Sequence, residues 1–156
     1  MRIRHVMTKD PKACAPSDSA QQAARIMRDE DAGIVPVVES AESRKIVGVV
    51  TDRDLCMLVV ADACDASATK VETCMTTKVV TCSPDDAVER VTQLMRENQI
   101  RRIPVINAER ELVGIVALAD IVERAEVKPT QTAETLKCVS APTDVPSKPR
   151  AESKVA

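Results

Sequence analysis

Thr51-Asp52-Arg53-Asp54 places a hydroxyl and, one helical turn later, an acid directly after the β-prone run Gly48-Val49-Val50. A strand that hands over to a helix here presents unpaired backbone N–H groups and a positive dipole end, which favour a bound anion such as phosphate. The Thr51 hydroxyl can reach a phosphate or sugar oxygen, and Asp54 can accept from vicinal hydroxyls, as acids do for ribose in other nucleotide sites. The same T-x-x-D spacing is also a capping box, which closes its own helix with no ligand at all. A second copy of the motif bears on the choice: Gly114-Ile115-Val116-Ala117-Leu118-Ala119-Asp120 keeps the acid and loses the hydroxyl. If the acid served only as partner to a capping Thr, its retention there would have no purpose, which points towards a ligand.

Arg101-Arg102 enters a strand, so the two side chains point to opposite faces. One can turn a guanidinium fork towards an anion while the other stays in water; the pair also reads as two ordinary surface charges. Lys12 and Lys78, in matched places, carry a weaker claim of the same kind, and Met27 and Met95 read as core filler. The six cysteines form no C-x-x-C pair and His5 stands outside any ligand spacing, so no metal site is expected. Cys14 and Cys82 suit small buried hydrophobes, and structural disulfides fit poorly with a cytosolic protein. With no activated nucleophile and no His–acid pair, neither enzyme activity, catalytic residues nor a catalytic cofactor is expected.

These residues are positioned by a duplication. Met7-Thr8 returns as Met75-Thr76, Pro16 as Pro84, Asp18 as Asp86, Met27-Arg28 as Met95-Arg96 and Pro36-Val37 as Pro104-Val105, each 68 positions later. After a polar turn that is two residues shorter in the second copy, the offset is 66: Gly48 matches Gly114 and Asp54 matches Asp120. In repeat 2, residues 78–82 read as a short strand, and Ser83-Pro84-Asp85-Asp86 as an N-cap with proline at the first helical position. Ala87, Val91, Leu94 and Met95 follow at helical spacing. A hairpin over 103–106 and 112–116 comes next, then a helix from about 117 to 125. Repeat 1 copies the order, with a strand at 12–14, a helix over 17–30, strands at 34–38 and 46–50, and a helix from 51 to about 61. The pattern is β-α-β-β-α twice, and two small units of this size share one core. The expected organisation is repeat 1 over 1–61, a polar linker over 62–73, repeat 2 over 74–125 and a disordered tail over 126–156.

Composition narrows the partners. A hydrophobic content of 44% supports a core, yet Phe, Tyr and Trp are absent, so a flat ligand must lie against aliphatic side chains, peptide planes or a guanidinium. A formal charge of −2 and the missing aromatic platform disfavour nucleic acid and anionic membrane. Residues 1–10 lack the apolar run of a secretory leader and no stretch is long enough to span a bilayer, so a soluble, cytoplasmic protein is expected.

The string Gly48-Val49-Val50-Thr51-Asp52-Arg53-Asp54, with Val6-Met7-Thr8 and Ile34-Val35-Pro36-Val37-Val38 before it, resembles a cystathionine-β-synthase (CBS) domain. The duplication over about residues 3–124 resembles a tandem CBS-domain pair, and Ile100-Arg101-Arg102-Ile103-Pro104-Val105 is similar to strings in small stand-alone bacterial CBS-pair proteins. The resemblance implies an α+β fold of two β-α-β-β-α repeats about a pseudo-twofold, associating as a homodimeric disc. It also implies a regulatory, energy-sensing role in which AMP, ADP or ATP binds in clefts shared by the repeats and shifts a conformation or an association. Carried over by position, the first cleft combines Thr51 and Asp54 with Thr76, Thr81, Arg101 and Arg102. Asp54 holds ribose hydroxyls, Thr51 and the helix start the phosphate, and the Thr76–Thr81 segment with the two arginines flanks the base. The second cleft pairs Asp120 with Thr8, Ala13, Gly33 and Ile34; Ala117 departs from the family pattern there, which implies a weaker site, an empty one, or one for a less charged ligand. An effector protein is implied and must come from outside the matched region. A ligand-free protein-interaction scaffold, docking a partner through the tail, is the alternative.

Overall fold

The computed structural model describes residues 1–125 and 129–142. Strand β1 (Thr8–Lys9) leads to helix α1 (Ala20–Asp29), the hairpin β2 (Ile34–Val38) and β3 (Ile46–Thr51), and α2 (Asp52–Leu55). Repeat 2 runs through α3 (Val88–Asn98), β4 (Arg102–Ile106), β5 (Leu112–Ala117) and α4 (Leu118–Arg124), and α5 (Pro129–Ser140) follows. The strands expected at 12–14 and 78–82 shrink to single parallel bridges, Cys14 with Val37 and Cys82 with Val105. Both long helices also begin later than expected. Ser83-Pro84-Asp85-Asp86 is a turn before α3, not its first turn: Asp86 Oδ2 accepts the Ser83 N–H at 2.8 Å, and the Asp86 N–H donates to the Ser83 carbonyl at 3.1 Å. Asp18 does the same for Ala15 at 2.8 and 3.0 Å. A short acid that satisfies its own turn competes with the helix for that backbone.

The halves are tied by exchange. β1 leaves repeat 1 and pairs antiparallel with β5 of repeat 2, Thr8 opposite Ile115. The matched contact runs the other way, Thr76 opposite Val49. Further out, Arg2 bridges Ala87 and Lys70 bridges Ser19, again a matched pair. Each arm carries two core residues with it. Ile3 and Val6, both 0% exposed, sit with Val91, Met95, Ile103 and Val116 of repeat 2. Val71 and Cys74 sit with Ala23, Val35, Val37 and Val50 of repeat 1. The segment 62–73, expected as a linker, thus ends in a 3-10 turn, Val71–Thr73, that belongs to the core of repeat 1. Gly48 and Gly114 admit the incoming arms: a Cβ at 48 would lie 3.0 Å from the Thr76 carbonyl oxygen, and one at 114 would lie 3.1 Å from that of Thr8.

On the pseudo-axis, matched residues meet their own counterparts. Lys45 bridges Glu111, and Val38, Ile46 and Leu112 form a third small core with Ala13, Val79 and Ile106. The Arg44 guanidinium fastens this seam, donating to the Pro11 carbonyl at 3.1 Å and the Leu112 carbonyl at 3.3 Å. The tail differs from its expected disorder where it is described: α5 packs on α3, with Thr135 and Val139 buried and Arg96 paired to Glu134 at 3.8 Å. Residues 126–128 and 143–156 lie outside the described residues. Among those described, no helix is long and apolar enough to cross a membrane.

Because each arm completes the other repeat's core, Ile3→Ala is expected to lower the stability of the whole chain by about 2–5 kcal/mol in one transition. Two separate melting steps in calorimetry would contradict this. A second expectation concerns thiols. Burial pushes those of Cys14 and Cys82 up from an ordinary 9.0 to about 12, with Asp18 and Asp86 adding to it. Both hold their proton more tightly folded than unfolded, so the stability tied to them is full below pH 9 and is lost as pH rises from 9 towards 12. Each thiol contributes a slope of about 1.4 kcal/mol per pH unit in that window, which urea unfolding at pH 8 and pH 10.5 measures, with Cys82→Val removing one share. A disulfide-exchange reagent at pH 8 should titrate the exposed Cys56, Cys64 and Cys138 in the folded chain, and Cys14, Cys74 and Cys82 only after unfolding.

Candidate functional site

Alternation along the two hairpins creates the clefts. In β3, Ile46, Gly48 and Val50 are buried in the core while Val47, Val49 and Thr51 on the other face are half-buried; in β5, Val113, Ile115 and Ala117 repeat this. The motif residues therefore stand at the last, half-buried position of each strand.

In repeat 1 the motif forms a complete capping box. Asp54 Oδ2 accepts from the Thr51 N–H at 3.0 Å and from its hydroxyl at 2.9 Å, while the Asp54 N–H donates to Thr51 Oγ1 at 3.1 Å. The helix so capped spans the expected stretch but changes type: α2 makes one α turn and widens into a π turn over Cys56–Val60, with Ala61 as its cap. In repeat 2, Asp120 Oδ2 accepts from the Ala117 N–H at 2.9 Å although residue 117 has no hydroxyl. Retention of the acid without its Thr, which in the sequence points to a ligand, therefore has a structural use: both acids satisfy the backbone N–H of the residue three before them. The other oxygen, Oδ1, lies 3.6 Å from Arg124 Nη2.

A cavity of about 150 Å³ opens beside Asp120, walled by both repeats. Its polar lining residues are Thr8, Lys12, Glu30, Arg102 and Asp120; Ile26, Ile34, Pro36 and Ile115 supply apolar walls. Lys12 and Glu30 at its side are paired at 2.7 Å, and hydrogen bonding to Glu30 together with its charge holds the Lys12 ammonium above its ordinary pKa. Such a site offers aliphatic faces for a planar group, acceptors for hydroxyls and a cation for an anionic end.

Of the residues expected in the second cleft, Asp120, Thr8 and Ile34 line this cavity. Ala13 packs instead in the core on the pseudo-axis. Gly33 stands near the cavity, and a Cβ on it would meet Asp52 Oδ2 at 2.9 Å and Arg102 Nη1 at 3.4 Å. Of the first-cleft set, Thr51 and Asp54 bond each other, and Thr76 exchanges backbone hydrogen bonds with Val49 at 2.8 and 3.0 Å. Thr81 is half-buried beside Cys82. The two arginines do diverge. Arg101 donates to Ser140 Oγ of α5 at 2.9 Å, and Arg102 lies in the Asp120 cavity wall, with its Nη1 and Asp52 Oδ2 both close to Gly33. Sequence reasoning passed over Ile26, Glu30 and Ile115. Helical spacing puts Ile26 and Glu30 on one face of α1, and Ile115 shares a strand face with Ala117, so periodicity carried the signal. Among the described residues, no group of His, Cys, Asp and Glu is placed to hold a metal ion.

The geometry agrees with the comparisons. The CBS domain family matches twice, over residues 3–61 and 71–126. The chain is 35% identical over 119 residues to the CBS domain-containing protein YhcV of Bacillus subtilis, covering 76% of this chain and 81% of that protein. It is 32% identical over 119 residues to an inosine-5′-monophosphate dehydrogenase of Methanocaldococcus jannaschii, but spans only 22% of that enzyme's length and 76% of its own. Among solved structures, it resembles the CBS domain pair of protein MJ0100 in complex with 5′-methylthioadenosine and S-adenosyl-L-methionine. The TM-score is 0.70 and the identity 27%, over 79% of this chain and 94% of that one. Two like units, each finishing the other's core and each matching the family over its length, make this chain a tandem CBS-domain pair of the CBS-domain family.

Proposed function

We propose that this CBS pair is a non-enzymatic regulatory module that binds an adenosine nucleotide (AMP, ADP or ATP) between its repeats and signals by a change of conformation or association. The observation that carries this reading is the cavity in which Thr8 and Ile34 of one repeat face Asp120 and Arg102 of the other. Binding of adenosine-type ligands by the CBS pair of protein MJ0100 supports the ligand class. Asp120 keeps lone pairs beyond the one given to Ala117 and accepts the ribose hydroxyls. Arg102 meets the phosphate, a role that does not need the hydroxyl missing at Ala117, and the aliphatic walls take the two faces of the base. Thr51 and Asp54, with Thr76, Thr81 and Arg101, form the companion cleft. It ranks second because its hydroxyl and carboxylate already satisfy each other.

The size of the cavity suggests how binding would be felt elsewhere. At about 150 Å³ it is smaller than the roughly 300–1,000 Å³ of ordinary ligand pockets, so a nucleotide enters by spreading walls that belong to different repeats. Occupancy therefore changes the placement of one repeat against the other, and that difference is what a separate effector protein, or a second copy in a homodimer, can read.

At a hundredfold excess over Kd, a ligand adds about 2.7 kcal/mol to folding stability. AMP should therefore raise the melting temperature of the chain. In Asp120→Asn, which keeps an oxygen for the Ala117 N–H, the rise should fall to a small fraction, while Asp54→Asn retains most of it. Arg102→Ala should reduce the response to AMP to that seen with adenosine. If no adenine nucleotide at millimolar concentration moves the transition, the nucleotide reading fails.

A further inference from the structure

Arg124, at the end of α4, reaches Asp120 of the cleft and the exchanged arm at once. Its Nη1 donates to the Val6 carbonyl at 3.0 Å, and its Nη2 lies 3.6 Å from Asp120 Oδ1. Val6 is buried in the core of repeat 2, and two residues later the same arm presents Thr8 to the cavity. A guanidinium holds its donors in a fixed planar fork, so the hydrogen bond to Val6 through one nitrogen places the other beside the Asp120 carboxylate. The Asp120 carboxylate thus accepts the Ala117 N–H on one oxygen and stands in an ion pair with Arg124 through the other, and only 20% of its side chain is exposed. Repeat 1 has Leu58 at the matched position. There the Thr51 hydroxyl orients the acid, at 2.9 Å from Asp54 Oδ2. The two acids are aimed by different devices: a hydroxyl from the preceding strand in one repeat, a guanidinium from the following helical turn in the other.

We propose that Arg124 is a positioning residue of the Asp120 cleft, orienting the carboxylate that receives the ligand's hydroxyls and coupling it to the arm that carries Thr8. The proposal rests on the reading of that cleft as a site for an adenosine-type ligand. Arg124 itself does not line the cavity; it acts through Asp120 and the arm. A ligand that spreads the cleft must work against this clamp, so the residue also sets how binding is passed to the exchanged arm.

Two variants test it in the full chain. Arg124→Leu installs the side chain found at the matched place in repeat 1, and Arg124→Lys keeps a charge with fewer donors. In calorimetric titrations with AMP, the Leu variant should bind about tenfold more weakly and the Lys variant should stay within about threefold of the unaltered chain. Equal affinity in all three chains, or a Lys variant no better than Leu, overturns the proposal. A ligand-free measurement separates this outcome from failure of the nucleotide reading. Amide exchange at Ala117, compared with Val105 in the sheet as a monitor of general stability, should quicken in Arg124→Leu and recover in Arg124→Lys. If Ala117 exchanges alike in the three chains, Arg124 does not position Asp120, whether or not AMP binds. If AMP fails to bind the unaltered chain, the ligand reading falls and the exchange pattern decides the positioning role.

Discussion

Ile3 and Val6 are wholly buried, yet the core that buries them belongs to the other half of the chain, and Val71 with Cys74 returns the arrangement. Each half alone would number about 60 residues, a size at which too little surface is buried to offset chain entropy comfortably. Removing its neighbour's arm would take away two more core side chains and an edge pairing. The halves are thus bound by shared deficits more than by an interface of the ordinary kind. Almost every other feature follows from this. The glycines at 48 and 114 make room for the arms, the matched bridges at Thr8–Ile115 and Thr76–Val49 dock them, and the pseudo-axis seam at Lys45–Glu111 closes between them.

A core with no aromatic residue has consequences at the surface as well. Val, Ile, Leu, Met and Ala fill the space between sheet and helices in small increments, which suits two thin layers packed about a twofold. The same residue types continue into the cleft. Ile26, Ile34, Pro36 and Ile115 present rigid or branched aliphatic faces, and a planar ligand held by them is held by shape and dispersion, not by ring stacking. The polar residues that line the same cavity are Thr8, Lys12, Glu30, Arg102 and Asp120.

The hairpins β2–β3 and β4–β5 were legible in the sequence because they are local: alternation, a polar turn and a repeated proline define them without help from distant residues. The arm exchange was not, because residues such as Ile3 and Val71 carry no mark of which repeat will bury them; a duplication predicts that two halves pack, not which segment crosses. The helix starts were missed for a different reason. Ser83-Pro84-Asp85-Asp86 satisfies the composition rules for a helix entry, and a turn closed by the Asp86 side chain satisfies them equally well. For the site, the acids at 54 and 120 were identifiable from the motif, but the partition of Arg101 and Arg102 depended on strand twist and on α5, which residues 126–156 did not announce by strong periodicity.

Divergence between the repeats is concentrated where the clefts are, not where the cores are. Ala23 and Val91, Met27 and Met95, Val35 and Ile103, and Val37 and Val105 are like for like in the two cores. Thr51 against Ala117, Ile34 against Arg102, Gly33 against Arg101 and Leu58 against Arg124 are not. Packing constrains the first group from every side, whereas partly or fully exposed positions around the clefts, at strand ends and on the helical turns that follow, are free to change chemistry. The acids at 54 and 120 stand between these regimes, since each caps a backbone N–H and faces a cleft. A residue with a structural duty cannot drift even in a cleft that binds nothing, so its presence says little about ligands. The partners that orient it say more, and those partners are what differ between the two halves. One of them, Arg124, contacts both the Asp120 carboxylate and the Val6 carbonyl of the exchanged arm, whose side chains fill the core of repeat 2.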